Sequence, residues 1–178
     1  MNRSRFAAVL ALLLFPLLGF AQSPKAQAIK GFRAEFLASL DEVEEKYAEL
    51  AEQVPADRYG WRPAPDVRSI AEVYTHVAGA NYFLATFAGV KTPATMPADI
   101  EKITDKQRIV KELTKSFEHV RAAIKRSSDA DLEKSVKLFG TATSRRGVYM
   151  TIMNHLHEHL GQSIAYARMN GVIPPWSR

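Results

Sequence analysis

The chain has 178 residues, of which 47% are hydrophobic and 24% are charged, a composition typical of one globular domain with a single core. Its formal net charge is +5 at pH 7, but the basic residues are interspersed with acidic ones and form no Lys/Arg block, which argues against nucleic acid as a partner. Cysteine is absent, which excludes disulfides, a thiolate nucleophile and a lipid-modified cysteine, and leaves nitrogen and oxygen atoms as the metal ligands.

The first 21 residues have the pattern of a secretory signal peptide. Arg3 and Arg5 precede an apolar run over residues 6–18, and small residues follow it. The run is shorter than the roughly 20 residues that span a bilayer. We therefore expect cleavage after Ala21, which leaves one domain over residues 22–178. That domain is expected to be periplasmic or secreted, with no stable membrane anchor.

The first half of the mature chain predicts two helices separated by a long loop. Apolar residues recur at three- and four-residue steps and predict an amphipathic helix from Gln27 to Gln53. Residues 54–68 contain three prolines and a glycine, which predict a loop. Ser69, followed three residues later by Glu72, forms a capping box that begins a second helix, expected to end near Gly89.

The second half predicts two more helices. A proline-containing connection leads to Thr104, whose hydroxyl can cap a third helix with Gln107 reciprocating three residues later. Residues 127–143 are predicted to be irregular, with at most a short turn at 129–134 and no strand pair. A fourth helix is expected over residues 144–170, where a glycine and two prolines follow. The expected fold is all-α, a four-helix bundle with long connections.

The predicted fourth helix carries a pair of histidines. His155 and His159 are four residues apart, so their side chains differ by only about 40° around the helix axis and face the same way. His157 lies about 160° from each and should point away. Gln162 and Tyr166 share the face of the pair and could orient ligands or a substrate. Taken alone, the pair fits either a metal site or two polar residues that share a groove with water.

A third histidine lies on the apolar face of the predicted second helix. His76 shares this face with Val73, Ala80, Phe83 and Phe87, and a buried imidazole needs a partner. That partner could be a carbonyl or a carboxylate. Alternatively, three neutral imidazoles from two helices could bind a divalent ion (Zn, Ni, Mn or Fe) and leave at least one position for water. The second alternative predicts a metal site between helices two and four.

Other polar residues are weaker candidates for a role at this site. Glu72 is one turn before His76; its usual role is the helix cap, but it could also accept a hydrogen bond from His76 or a proton near the metal. With Gln162 and Tyr166 it makes up the candidate catalytic residues, and the sequence assigns the catalytic role to none of them. His119 is expected to be solvated on the polar side of helix three. Three arginines could hold an anionic substrate or simply lie on the surface: Arg62, Arg68 and Arg145.

These motifs resemble the DinB-like superfamily of bacterial helical-bundle metalloproteins across essentially the whole mature chain. The resemblance lies in residues 59–76, in the segment from His155 to Gln162, and in residues 166–176. In that family one metal ligand comes from helix two and two come from an HxxxH motif, positions that His76, His155 and His159 occupy here. Leu160 stands where the family often has arginine.

The resemblance also implies a chemistry. Characterised relatives include S-transferases that use bacillithiol or mycothiol and a thiol-dependent isomerase, in which the metal lowers the pKa of the thiol. Since an exported protein would meet little cytosolic thiol, we expect a metal-dependent enzyme that activates water or a thiol, of hydrolase or S-transferase type. The rival hypotheses are a non-enzymatic binding or structural module and a bundle without metal. A small-molecule substrate and a homodimer both remain open.

Overall fold

The computed structural model of the chain describes residues 29–177, so the predicted signal peptide and the first residues of the mature domain lie outside the described part. The structure confirms the all-α fold. The five helices of this part are α1 (Phe32–Gln53), α2 (Ile70–Phe87), α3 (Lys106–Arg126), the single turn α4 (Asp129–Leu132) and α5 (Arg145–Met169). Short 3₁₀ turns occur at Ala56–Arg58, Ile100–Lys102 and Pro175–Ser177.

The four long helices form the bundle, and both α1 and α2 pack against α3 and α5. Aromatic side chains fill its centre, because Tyr47, Tyr74 and Phe117 are each almost completely buried. The ring centroid of Tyr47 lies 6.2 Å from that of Tyr74, in an edge-on arrangement, and 5.7 Å from that of Phe117, in a tilted one. The Tyr47 hydroxyl donates a hydrogen bond to the Leu156 carbonyl over 2.8 Å, which links α1 to α5 inside the core.

Two predicted helix starts differ from the structure, by five residues for α1 and by one residue for the cap of α3. Helix α1 begins at Phe32 instead of Gln27, because Gly31 precedes it with a positive φ of 59° that helical backbone does not adopt. Helix α3 is capped by Asp105 instead of Thr104, and the Asp105 carboxylate accepts the Arg108 backbone N–H over 2.9 Å. The Ser69–Glu72 capping box of α2 is present in both directions, as predicted.

A β-hairpin corrects the prediction that residues 127–143 contain no strand pair. Strands β1 (Ser135–Leu138) and β2 (Thr141–Ser144) pair antiparallel, with Leu138 opposite Thr141. The turn residues Phe139 and Gly140 have φ values of 49° and 85°. Two consecutive positive φ angles define the tight turn that usually carries Asn-Gly. Phenylalanine in the first position conceals that signal in the sequence.

Two side chains lie in surroundings that differ from the predicted ones. Phe83 was expected on the buried face of α2, but it is 55% exposed and contacts Phe87 and Phe139 at the edge of the bundle. His119 was expected to be solvated, but its ring lies 4.9 Å from the Tyr82 ring and its Nε2 atom is buried. Burial, followed by the charge of Arg126, lowers the pKa of His119. Tyr82 of α2 covers this imidazole, a contact that the periodicity of α3 does not reveal.

Candidate metal centre

The three predicted histidines come from two helices whose positions are fixed by contacts with the rest of the bundle. The capping box and the loop before it hold the start of α2, since the Ala71 N–H donates to the Tyr59 carbonyl over 2.9 Å. The hydrogen bond from Tyr47 to Leu156 holds α5 beside His155. His76 therefore faces α5 about two turns into α2.

The structure brings the three imidazoles into one cluster. Nε2 of His76 lies 3.2 Å from Nε2 of His155. The ring centroid of His159 lies 4.9 Å from that of His76 and 4.4 Å from that of His155. One nitrogen from each ring lies within 4.8 Å of the nitrogens of the other two. Among residues 29–177 this is the group of side chains whose spacing could hold a metal ion.

Hydrogen bonds on the far side of two rings determine which nitrogen faces the cluster. Nδ1 of His159 lies 2.8 Å from Oε1 of Gln162, whose amide nitrogen donates to the Tyr166 hydroxyl over 2.9 Å. Nδ1 of His76 lies 3.3 Å from Oε1 of Glu101. Because a carboxylate or an amide oxygen only accepts, both Nδ1 atoms are donors. Each Nε2 atom therefore keeps its lone pair, as a metal ligand requires.

Within the described part of the chain, the His155 ring has no such hydrogen bond on its far side. Nδ1 of His155 is buried and has no hydrogen-bond partner, and its Nε2 faces the lone pair of His76. Two ring nitrogens bound to one tetrahedral ion at about 2.0–2.1 Å lie about 3.3 Å apart. The observed Nε2–Nε2 distance of 3.2 Å matches that requirement. The cluster therefore fits a divalent ion that accepts imidazole ligands.

The surroundings keep two of the rings neutral. Burial, assisted by the charges of His159 and His76, lowers the pKa of His155 from 6.5 to about 4. Burial, and then the charge of Arg68, lowers the pKa of His76 despite the hydrogen bond to Glu101. Both imidazoles are thus unprotonated at neutral pH, with lone pairs available for a cation.

The catalytic candidate Glu72 does not touch the cluster, and neither does His157, which was predicted to point away. Glu72 caps α2 through the Ser69 N–H at 2.7 Å and accepts a hydrogen bond from Arg62 at 3.0 Å. The Ser69 backbone N–H and Arg62 lower the pKa of Glu72, so this carboxylate is engaged away from His76. His157 is exposed, and its Nδ1 atom lies 3.0 Å from the Met153 carbonyl of its own helix.

Glu101 is the contact that sequence reasoning missed. It lies on the 3₁₀ turn between α2 and α3, 25 positions from His76. Gly79 allows this turn to approach α2, because a Cβ atom there would lie 3.3 Å from Oε1 of Glu101. No local spacing in the sequence reports a contact of this kind, which depends on how a long connection folds back over a helix.

A cavity of about 390 Å³ lies beside the cluster, between α2 and the connection to α3. Its polar lining includes His76, Glu101 and Lys102, while most of its surface is apolar, from residues that include Ala80, Phe83, Met96 and Ile100. Of the three clustered histidines, only His76 lines this cavity. The Trp61 ring packs edge-on at 5.4 Å against Tyr166, whose hydroxyl accepts the hydrogen bond from Gln162.

None of the helices within residues 29–177 combines the length and the apolar character that crossing a membrane requires.

Comparison with known proteins supplies a family and a fold. Residues 39–163 match the DinB superfamily. The structure is similar to a DinB-like protein from Bacillus cereus ATCC 10987, with a TM-score of 0.71 and 20% identity over 80% of this chain and 95% of that chain. It is also similar to the DinB-like protein YjoA from Bacillus subtilis, with a TM-score of 0.64 and 20% identity over 81% and 99% of the two chains.

A third similar structure is YfiT from Bacillus subtilis, described as a probable metal-dependent hydrolase with an unusual four-helix bundle topology. The TM-score is 0.61 and the identity 16%, over 84% of this chain and 94% of that chain. At these identities the likeness establishes the fold. No curated protein matches the chain.

Proposed function

Since this chain belongs to the DinB superfamily, we propose that it binds one divalent metal ion through Nε2 of His76, His155 and His159. The observation that carries the proposal is the convergence of three ring nitrogens, from two helices, within 4.8 Å of one another. His76 and His159 each use Nδ1 for a hydrogen bond outside the cluster, so the nitrogens that face one another need a shared partner, which a cation can supply.

The proposed activity is metal-dependent hydrolysis of a small molecule. Three protein ligands leave a coordination position open, and an ion bound there would supply the Lewis acidity that lowers the pKa of a water or thiol nucleophile. The Gln162–Tyr166 pair would hold the His159 ring in place, and Glu101 would do the same for His76. The description of YfiT as a probable metal-dependent hydrolase supports this reaction class.

Export is a separate part of the proposal and rests on residues 1–21 alone. Cells should contain a mature form that begins at Gln22, measured by intact-mass spectrometry of the periplasmic or secreted fraction. Detection of the full-length chain alone, in the cytoplasm, would contradict export and would favour a thiol S-transferase.

The metal site is tested on untagged protein, purified without added metal, by elemental analysis and by titration with Zn²⁺, Ni²⁺, Mn²⁺ and Fe²⁺. We expect one equivalent to bind. His155→Ala and His159→Ala should each greatly weaken binding, because each removes one of the three ligands. His157→Ala is the matched control, since His157 is exposed on the same helix and bonded to its own backbone. Folded protein that takes up none of the four ions would refute the proposal.

A structural role for the ion is the second candidate. It is favoured by the lining of the neighbouring cavity, which includes His76 but neither of the other two histidines. An ion that only ties α2 to α5 should raise the melting temperature of the protein. In that case the metal-loaded protein would hydrolyse no member of a panel of small esters, amides and phosphoesters. Hydrolysis that disappears in His155→Ala and persists in His157→Ala would instead support the enzyme.

A further inference from the structure

A second polar cavity lies at the other end of α5, where Arg145 is about 15 Å along the helix axis from His155. Its volume is about 330 Å³, and it lies between the ends of α2 and α3 and the start of α5. Its lining is mainly polar and basic, and it includes Gly89, Lys91, Arg126, Asp131 and Arg145.

The positive charges of this cavity exceed its negative charge. Lys91, Arg126 and Arg145 supply three cations, and Asp131 supplies the one carboxylate in the lining. Within residues 29–177, Lys91 and Arg126 take part in no salt bridge, and both are exposed to solvent. The cavity therefore has a local excess of positive charge that no side chain of the described part neutralises.

Asp131 forms only a long salt bridge with Arg145, because its oxygens already have hydrogen-bond partners. Its Oδ2 atom accepts hydrogen bonds from the Ser128 N–H at 3.1 Å and the Ser128 hydroxyl at 2.7 Å. Its Oδ1 atom accepts one from Lys134 at 2.5 Å. Nη1 of Arg145 lies 3.9 Å from that same Oδ1 atom, which is too far for a hydrogen bond. Lys134 and Ser128 together hold the pKa of Asp131 well below its usual range.

Arg145 lines the cavity from the start of α5. Its Nε atom is buried and has no hydrogen-bond partner within the described part of the chain. The backbone of Gly89, at a φ of +81°, passes so close that a Cβ atom there would lie 3.0 Å from Nη2 of Arg145. The Arg145 side chain as a whole is 30% exposed and lines the cavity, so its guanidinium can donate to a ligand bound there.

We propose that this cavity binds a phosphate group, with Arg145 as the main contact and Lys91 and Arg126 as further ones. The three cations come from three separate segments of the chain, so they approach the cavity from different directions. A tetrahedral phosphate dianion offers oxygens in several directions, whereas one guanidinium fork already satisfies a planar carboxylate. The phosphate is free inorganic phosphate or the phosphate of a small monoester. This site is independent of the histidine cluster.

The test is isothermal titration of the full chain with inorganic phosphate and, separately, with glycerol 3-phosphate. The titrations use chelator-treated protein in the His159→Ala background, which removes the histidine cluster as an alternative anion site. We expect binding of at least one of the two, and the tighter of them identifies the source of the phosphate. Arg145→Met should weaken binding about tenfold or more, since it removes a charge-assisted hydrogen-bond donor.

A second variant covers the case in which Arg145→Met does not fold. Lys91→Ala combined with Arg126→Ala changes two exposed side chains and should also weaken binding about tenfold or more. The matched control is Lys111→Ala combined with Arg168→Met, which removes two exposed cations elsewhere and should bind like the parent. Folded parent protein that binds neither phosphate probe overturns the proposal, as does equal loss of affinity in the paired variant and its control.

Discussion

The hydrogen bond from His159 to Gln162 offers the sharpest test of how the cluster is built. His159 is only 8% exposed, and its Nδ1–H donates to Oε1 of Gln162 over 2.8 Å. Gln162→Met keeps the length of the side chain and removes the acceptor. Water has little access to replace it, so the metal-free protein should lose about 1–3 kcal/mol of unfolding free energy. Loss of the partner that orients a ligating imidazole should weaken metal binding about 10- to 100-fold.

The measurement is a competitive titration with a chromophoric Zn²⁺ chelator at pH 7.5, with circular dichroism as a check of folding. Gln162→Glu retains an oxygen acceptor at the same reach and should keep an affinity close to that of the parent or above it. Gln107→Met makes the same chemical change at an exposed position on α3 and should have no effect. An affinity of Gln162→Met within twofold of the parent, in folded protein, would refute the inferred role of this hydrogen bond.

Three further predictions concern pH and stability. Because the pKa of His155 falls from 6.5 to about 4 in the folded state, the unfolded chain binds more protons between these values. The unfolding free energy of the metal-free protein should therefore be highest above pH 6.5 and fall as the pH is lowered towards 4. Urea titrations at several pH values should show a smaller fall in His155→Ala. Tyr47→Phe leaves the Leu156 carbonyl without its buried donor and should cost about 1–2 kcal/mol in urea unfolding. Ser69→Ala removes the cap of α2 and should lower the unfolding free energy by about 1 kcal/mol, whereas Ser177→Ala should not change it.

The long helices could be predicted from the sequence because their signals are local. The capping box at Ser69 and Glu72 appears in the structure as the pattern requires, since it involves residues three positions apart. The shared orientation of His155 and His159 follows from helix geometry, and so does the outward direction of His157. Each of these features depends on backbone rules that act within one or two turns.

The β-hairpin shows where local rules became ambiguous. The turn needs two residues with positive φ, and the chain uses Phe139 and Gly140. Phenylalanine rarely adopts this conformation, so the sequence contains only half of the usual signal. Pairing of β1 with β2 and packing of the hairpin on α2 and α5 support the turn in the folded protein.

The sequence by itself determined which residues form helices and which histidines share a helical face. Only the tertiary structure decided which residues of other helices and connections those faces contact. His76 lies 79 positions from His155, yet their Nε2 atoms are 3.2 Å apart. Glu101 reaches His76 from a connecting turn, and Arg145 meets the end of α2 at Gly89. Such contacts depend on how whole elements pack against one another, and packing is set by the combined burial of many side chains instead of the spacing of a few.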